Sequence, residues 1–214
     1  YHLSFEQAAW WKKLFYNGLG EFRYLNGISI EEEDFVRFET GTQTLPAFHI
    51  QTQESAIIPV GGGKDSAVTL ELLASRNGIL PFMLNPNKAS EEIILKKGFT
   101  REQAIVANRT IDPVLFDLNK QGFLNGHTPF SALLAFISAL AAVLSGRKFI
   151  ALSNESSANE PTVACSRINH QYSKSIEFEN DFREYLKKHV TGDIEYFSFL
   201  RPLGEIRIAS LFSE

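Results

Sequence analysis

The sequence predicts an α/β protein with a doubly wound, mainly parallel sheet and a small N-terminal antiparallel β appendage. Three observations predict it. From residue 56 onward, short apolar runs alternate with stretches of helical period, the pattern of βα units. A glycine-rich turn joins the first run directly to a helix. The texture before residue 56 is different, being rich in aromatics and in hairpin signals. The chain therefore divides into an appendage over residues 1–55 and a main α/β domain over residues 56–214.

In the appendage, Leu3 to Tyr16 carries Phe5, Trp10, Trp11, Phe15 and Tyr16 in a helix-like stretch that Gly18 and Gly20 end. Asn26-Gly27 lies between Glu21–Leu25 and Ile28–Ile30. Asn-Gly between apolar-rich runs signals a hairpin, because both residues tolerate positive φ. Phe35 to Glu39 alternates and reads as a third strand. The aromatics read as packing residues rather than a base-stacking platform.

In the main domain, Ile57–Val60 is a buried strand and Asp65–Arg76 a helix with Val68, Leu72 and Leu73 at helical spacing. Ile79–Leu84 is a second strand, and Ser90–Lys97 a helix with Ser90 as N-cap. Gln103–Asn108 reads as a third strand. Asp112 caps a short helix with Pro113 at its first position. Pro129–Ser145 is an apolar helix ended by Gly146. Phe149–Leu152 is a further strand, and helices follow at Phe178–His189 and Leu203–Phe212.

Composition narrows the function. Apolar residues at 44% and charged residues at 21% describe a folded globular chain. With 21 Lys and Arg against 25 Asp and Glu, the net charge of -4 argues against a broad nucleic-acid surface, so no nucleic-acid partner is expected. The most apolar stretch, Phe130 to Leu144, is shorter than the roughly 20 residues a bilayer span needs, and no membrane association is expected. Cys165 is the single cysteine, which fits a reducing compartment, and no signal peptide is evident; the expectation is a cytoplasmic protein. The start at Tyr1, without Met, reads as a piece of a longer protein or a chain with loops omitted.

The chemistry is concentrated in Gly61-Gly62-Gly63-Lys64-Asp65-Ser66, between the first strand and its helix. Glycines let a backbone approach an anion, and the free N–H groups and dipole of the helix start favour negative charge. Lys64 adds a mobile cation and Ser66 a hydroxyl. The spacing is neither a Walker A loop nor G-x-G-x-x-G. Three other stretches are polar. Asn125 to Ser131 places His127 at the start of the apolar helix, as a phosphate contact, a proton carrier or a simple cap. Ser153 to Glu160 follows a strand, so Glu155 should lie on the ligand side, as a Mg²⁺ ligand or a base. Asn169 to Ser175 offers His170 and Lys174 as acid/base or anion-binding groups. Cys165 is either a thiol nucleophile or inert, and Arg201 reads as a solvated arginine at a helix start.

The Gly61–Ser66 loop resembles the S-G-G-x-D-S loop of the PP-loop ATP pyrophosphatases, with Gly61 in place of the first Ser. The resemblance implies a fold of the adenine nucleotide alpha hydrolase-like type, with ATP and Mg²⁺ as cofactors. Gly61, Gly62, Gly63, Lys64, Asp65 and Ser66 would hold the ATP phosphates, and Asn85, after the second strand, would face the base or ribose. Asp65 and Glu155 would hold the metal. The segments around Gly61, Gly126, Ser153, Asn169 and Arg201 together resemble the C-terminal domain of one branch, the UDP-N-acetylmuramoyl-L-alanyl-L-glutamate epimerases. Those enzymes are longer than this chain, which implies that an N-terminal part is missing.

That resemblance implies an ATP-dependent inversion of the terminal L-Glu of a nucleotide-linked peptide, a small-molecule substrate of peptidoglycan precursor synthesis. Adenylation of the carboxylate acidifies the α-proton, and AMP and pyrophosphate leave. Inversion needs a base on one face and a donor on the other; His127, Glu155, His170, Lys174 and Cys165 are the candidates. Other readings remain open: a different PP-loop adenylating enzyme, acting in nucleobase or tRNA modification or as an amidating synthetase, or a nucleotide-binding module without turnover. Oligomeric state is left open.

Overall fold

The computed structural model describes residues 2–42, 45–160, 169 and 171–213. Five strands form one sheet: β1 (Gln53–Pro59), β2 (Leu80–Leu84), β3 (Ile105–Ala107), β4 (Arg147–Leu152) and β5 (Glu195–Ser198). Their order is β3-β2-β1-β4-β5, and every neighbouring pair is parallel. The register places Ile57 between Leu80 and Ile150, and Ile150 beside Tyr196.

A parallel sheet must be covered on both faces. The period of two divides the strands accordingly. Ile57, Phe82, Ile150 and Tyr196 point to one face, with α1 (Phe5–Gly18), α7 (Phe130–Ser145) and α8 (Ile176–His189) packed there. Ile58, Met83 and Ala151 point to the other, against Leu70 of α4 (Lys64–Leu73) and Ile94 of α5 (Lys88–Lys96). The last helix, α9 (Glu205–Ser213), lies on α4 through Ile208 and Val68.

The appendage is not antiparallel. It holds α1, α2 (Gly20–Leu25) and α3 (Glu32–Phe35), and the isolated backbone bridge among its described residues, Leu3 with Thr40, is parallel. Asn26-Gly27 closes α2 instead of turning a hairpin. Gly27 takes φ 64, and the Ile28 N–H donates back to the Arg23 carbonyl. A left-handed glycine serves a helix end as well as a two-residue hairpin, and only pairing between the flanks separates the two. Here the flanks turn inward instead: the Arg23 guanidinium lies 3.6 Å from the Tyr16 ring centre. α1 packs against the sheet's own helices, with Trp11 stacked on Phe136 at 5.0 Å and Trp10 4.4 Å from Tyr185.

In the main domain, Pro113 begins α6 (Pro113–Lys120), capped by Asp112, and left-handed Gly146 ends α7, both as the sequence predicts. The N-cap of α5 is Asn87, not Ser90. Ser90 is the third helical residue, and the two exchange side chain-to-backbone hydrogen bonds in a capping box. β5 has no counterpart in the sequence reading.

Candidate functional site

The parallel order puts the carboxyl ends of all five strands on one edge. The chain winds from β1 outward through β2 to β3 on one side, and from β4 to β5 on the other. The β1/β4 boundary is therefore the switch point, where open α/β sheets form their ligand crevice. The loop after β1 is Gly61 to Gly63, and the loop after β4 contains Asn154 and Glu155. Two of the polar stretches singled out by sequence thus meet at one edge.

The three glycines differ. Gly62 has φ 97, and a Cβ there would stand 2.9 Å from Asn87 Oδ1 and 3.1 Å from the Ser90 nitrogen. Its lack of a side chain is required by the fold. Gly61 and Gly63 have nothing within 4 Å of a would-be Cβ, so their bareness leaves open space on the ligand side. No side chain caps α4 at Gly63, which leaves the first-turn N–H groups facing that space. The Ser66 hydroxyl donates to the Gly63 carbonyl at 2.9 Å, and Asn87 Nδ2 donates to the Gly61 carbonyl at 3.2 Å. Lys64 lies 2.8 Å from both Asp65 and Glu205. Hydrogen bonds to Asp65 and Glu205 raise its pKa above the ordinary lysine value, so it stays cationic.

Across the switch point, Glu155 is buried and caps a short turn, Ser156–Asn159, through the Ser157 N–H and hydroxyl. Asn154 Nδ2 donates to the Ser198 hydroxyl at 3.0 Å. The Ser153 hydroxyl is buried with no hydrogen-bond partner among the described residues. Arg201 is not solvated as expected; it is the hub of this half. It donates to the Glu155 carbonyl (3.0 Å), the Lys174 carbonyl (2.7 Å) and Glu179 (3.0 Å). Glu179 is 3% exposed and pairs with Arg183 at 2.7 Å. Sequence reasoning missed Glu179 and Arg183. Their signal was faint, an i,i+4 Glu-Arg pair on an amphipathic helix, where a solvated pair is the usual outcome.

The remaining candidates are placed as follows. His127 lies exposed just before α7, and Lys174 projects from a short turn, Tyr172–Lys174, with its side chain exposed. Asn85 stands at the end of β2 at φ 51, its amide bonded to the backbone of Arg109. His170 and Cys165 lie outside the described residues. Among the described residues, no three His, Cys, Asp or Glu side chains converge in a metal-ligand cluster. No helix among them is long and apolar enough to cross a membrane.

Fold and loops together define a doubly wound α/β protein with a glycine-rich, uncapped helix start at its switch point. The chain belongs to the MurL family: the family model for the MurL N-terminal domain matches residues 1–199. That corrects the expected C-terminal assignment. The likeness rests on short polar segments, which identify a family without saying which part of a longer polypeptide carries them. Three curated relatives bear the name UDP-N-acetyl-alpha-D-muramoyl-L-alanyl-L-glutamate epimerase. The protein from Salinispora tropica is 40% identical over 92% of this chain and 43% of its own length. That from Xanthomonas oryzae pv. oryzae is 35% identical over 100% of this chain and 47% of its own. A Micromonospora relative is 36% identical over 97% and 46%. The chain thus spans about half the length of the curated relatives it matches. A solved structure, described as a predicted subunit of tRNA methyltransferase from Methanocaldococcus jannaschii, matches at 16% identity over 76% of this chain and 77% of its own. Its TM-score of 0.44 is too low to define a shared fold.

Proposed function

We propose that this chain is the nucleotide-binding part of an epimerase that inverts the terminal L-Glu of UDP-N-acetylmuramoyl-L-alanyl-L-glutamate, in peptidoglycan precursor synthesis. The observation that carries the reading is the 35–40% identity to three proteins of that name across nearly the whole chain. The site is compatible with it. The uncapped start of α4 and the open space at Gly61 and Gly63 suit a polyphosphate of ATP. Mg²⁺ keeps several waters and is held through one or two carboxylates plus phosphate oxygens, so the lack of a three-ligand cluster does not count against it.

In this reading ATP and Mg²⁺, when bound, supply activation of the glutamate carboxylate, with loss of AMP and pyrophosphate. The chain's own residues do the rest. First-turn N–H groups of α4 would donate to phosphate oxygens, and the Ser66 hydroxyl would join them by leaving the Gly63 carbonyl it now bonds. Lys64, held cationic by Asp65 and Glu205, neutralises developing charge. Asp65 and Glu155 are the carboxylates that would hold the metal, Asp65 by giving up its Lys64 contact and Glu155 its Ser157 contacts. His127 and Lys174 are the exposed candidates for moving the α-proton, beside His170.

The test is AMP and pyrophosphate formation from ATP and Mg²⁺ with and without the L-Glu precursor, followed by acid hydrolysis of the product and chiral analysis of the glutamate this liberates. AMP that depends on the precursor, with D-Glu appearing, is the expected result. ATP binding without precursor-dependent AMP would demote this reading in favour of another adenylating enzyme or a non-catalytic nucleotide-binding module.

A further inference from the structure

Asn85 is the one non-glycine residue among those described with a positive φ, 51. It directly follows β2, and its own N–H donates to the Ala107 carbonyl at 2.8 Å. Its side-chain amide then carries the ladder one step further. Oδ1 accepts the Arg109 N–H, and Nδ2 donates to the Arg109 carbonyl at 2.9 Å. The amide thus replaces a strand residue and pins the backbone of Arg109 to the carboxyl edge of the sheet. A left-handed residue costs on the order of 1 kcal/mol, and asparagine bears it best because its side chain bonds locally.

What is pinned is a cation. Arg109 is exposed, and its guanidinium lies 5.4 Å from the Phe130 ring centre at the start of α7. No carboxylate among the described residues lies within ion-pair distance of it. Among the described residues, Lys64 at the glycine loop and Arg201 across the switch point are each paired with carboxylates. Two residues along the same loop, Asn87 donates to the Gly61 carbonyl. One short segment, 85–87, therefore touches both the glycine loop and the backbone of Arg109.

We infer that Arg109, backed by Phe130 and held by Asn85, is a second anion-binding group of the ligand crevice, taking a phosphate or diphosphate of a nucleotide. The planar guanidinium fork matches phosphate oxygens in pairs, and a backbone fixed in advance lowers the entropy lost on binding. The inference rests on the nucleotide-binding reading above. The phosphate has two possible sources there: ATP, or the uridine diphosphate of the precursor.

Calorimetric titration of the chain with ATP·Mg²⁺ and, separately, with UDP tests it. The variants are Arg109→Gln, Arg109→Lys and Asn85→Ala. The expected result is that Arg109→Gln weakens one nucleotide by about tenfold or more while leaving the other within about twofold, as the loss of one bidentate contact predicts. Arg109→Lys should recover part of the loss, and Asn85→Ala, which keeps the charge but frees the backbone, should show a smaller loss for the same nucleotide. The nucleotide affected names the source. An Arg109→Gln protein that binds both nucleotides as the parent does overturns the inference alone, as does an equal loss for both that Arg109→Lys fails to relieve. A parent chain that binds neither nucleotide overturns the nucleotide reading, and this inference with it.

Discussion

Replacing Gly62 and Gly63 by alanine, one at a time, should separate a glycine of the fold from a glycine of the site. At Gly62 the backbone sits at φ 97. Placing an L-residue in a left-handed conformation costs about 1–2 kcal/mol. The added methyl would also press on the Ser90 nitrogen at 3.1 Å and on Asn87 Oδ1 at 2.9 Å. The Ser90 nitrogen is backbone and cannot swing away, and the Asn87–Ser90 contact is the N-cap of α5. Loss of such a cap is worth about 1 kcal/mol. The sum, about 2–3 kcal/mol, corresponds to a fall in Tm of roughly 4–12 °C for a chain of this size. At Gly63 nothing lies within 4 Å of the new methyl. Alanine is a poorer N-cap than glycine, so stability there should fall by no more than about 1 kcal/mol, while ATP binding weakens by about tenfold or more because the methyl enters the space that the proposed reading gives to phosphate. Thermal melts followed by circular dichroism, paired with nucleotide titration, give both numbers. A Gly62→Ala protein that melts with the parent would refute the clash argument. A Gly63→Ala protein that binds ATP like the parent would refute the assignment of that space to phosphate.

Arg201→Met should destabilise the chain by about 3 kcal/mol in urea unfolding, the low end for breaking a buried ion pair, because Arg183 still holds Glu179. Phe136→Ala removes the ring stacked on Trp11 and edge-on to Phe182. It should cost about 3 kcal/mol and shift tryptophan emission as the α1 interface loosens. Burial lowers the pKa of His189 from the ordinary histidine value, so the unfolded chain binds the proton first as pH falls. Stability contributed by the neutral ring is therefore full above pH about 6.5 and declines below it. The slope of Tm against pH in that window should flatten in His189→Gln, and an unchanged slope would dismiss the histidine as its source.

Much of this protein is written locally. The Gly61–Ser66 turn, the Asp112-Pro113 helix start and the Gly146 stop each depend on the conformational preference of a few adjacent residues, and each is legible without partners. The apolar runs Ile57–Val60 and Phe149–Leu152 likewise declare buried parallel strands, because both of their faces must be covered. Glu195–Ser198 does not declare itself. It is short, and it becomes a strand only through its pairing with β4. Asn26-Gly27 supports a hairpin and a helix end equally well, and the packing of Arg23 on Tyr16 decides between them. The same holds in the site. The sequence by itself determined the glycine loop, which is one contiguous run, and the family, which several short runs along the chain carry without needing to touch. Only the tertiary structure made Arg201 a half-buried hub and set Asn85 against Arg109, because hydrogen bonds spanning 22 to 46 residues follow from how the strand ends are brought together. Local preference cannot encode a partner so distant along the chain; the sheet supplies it.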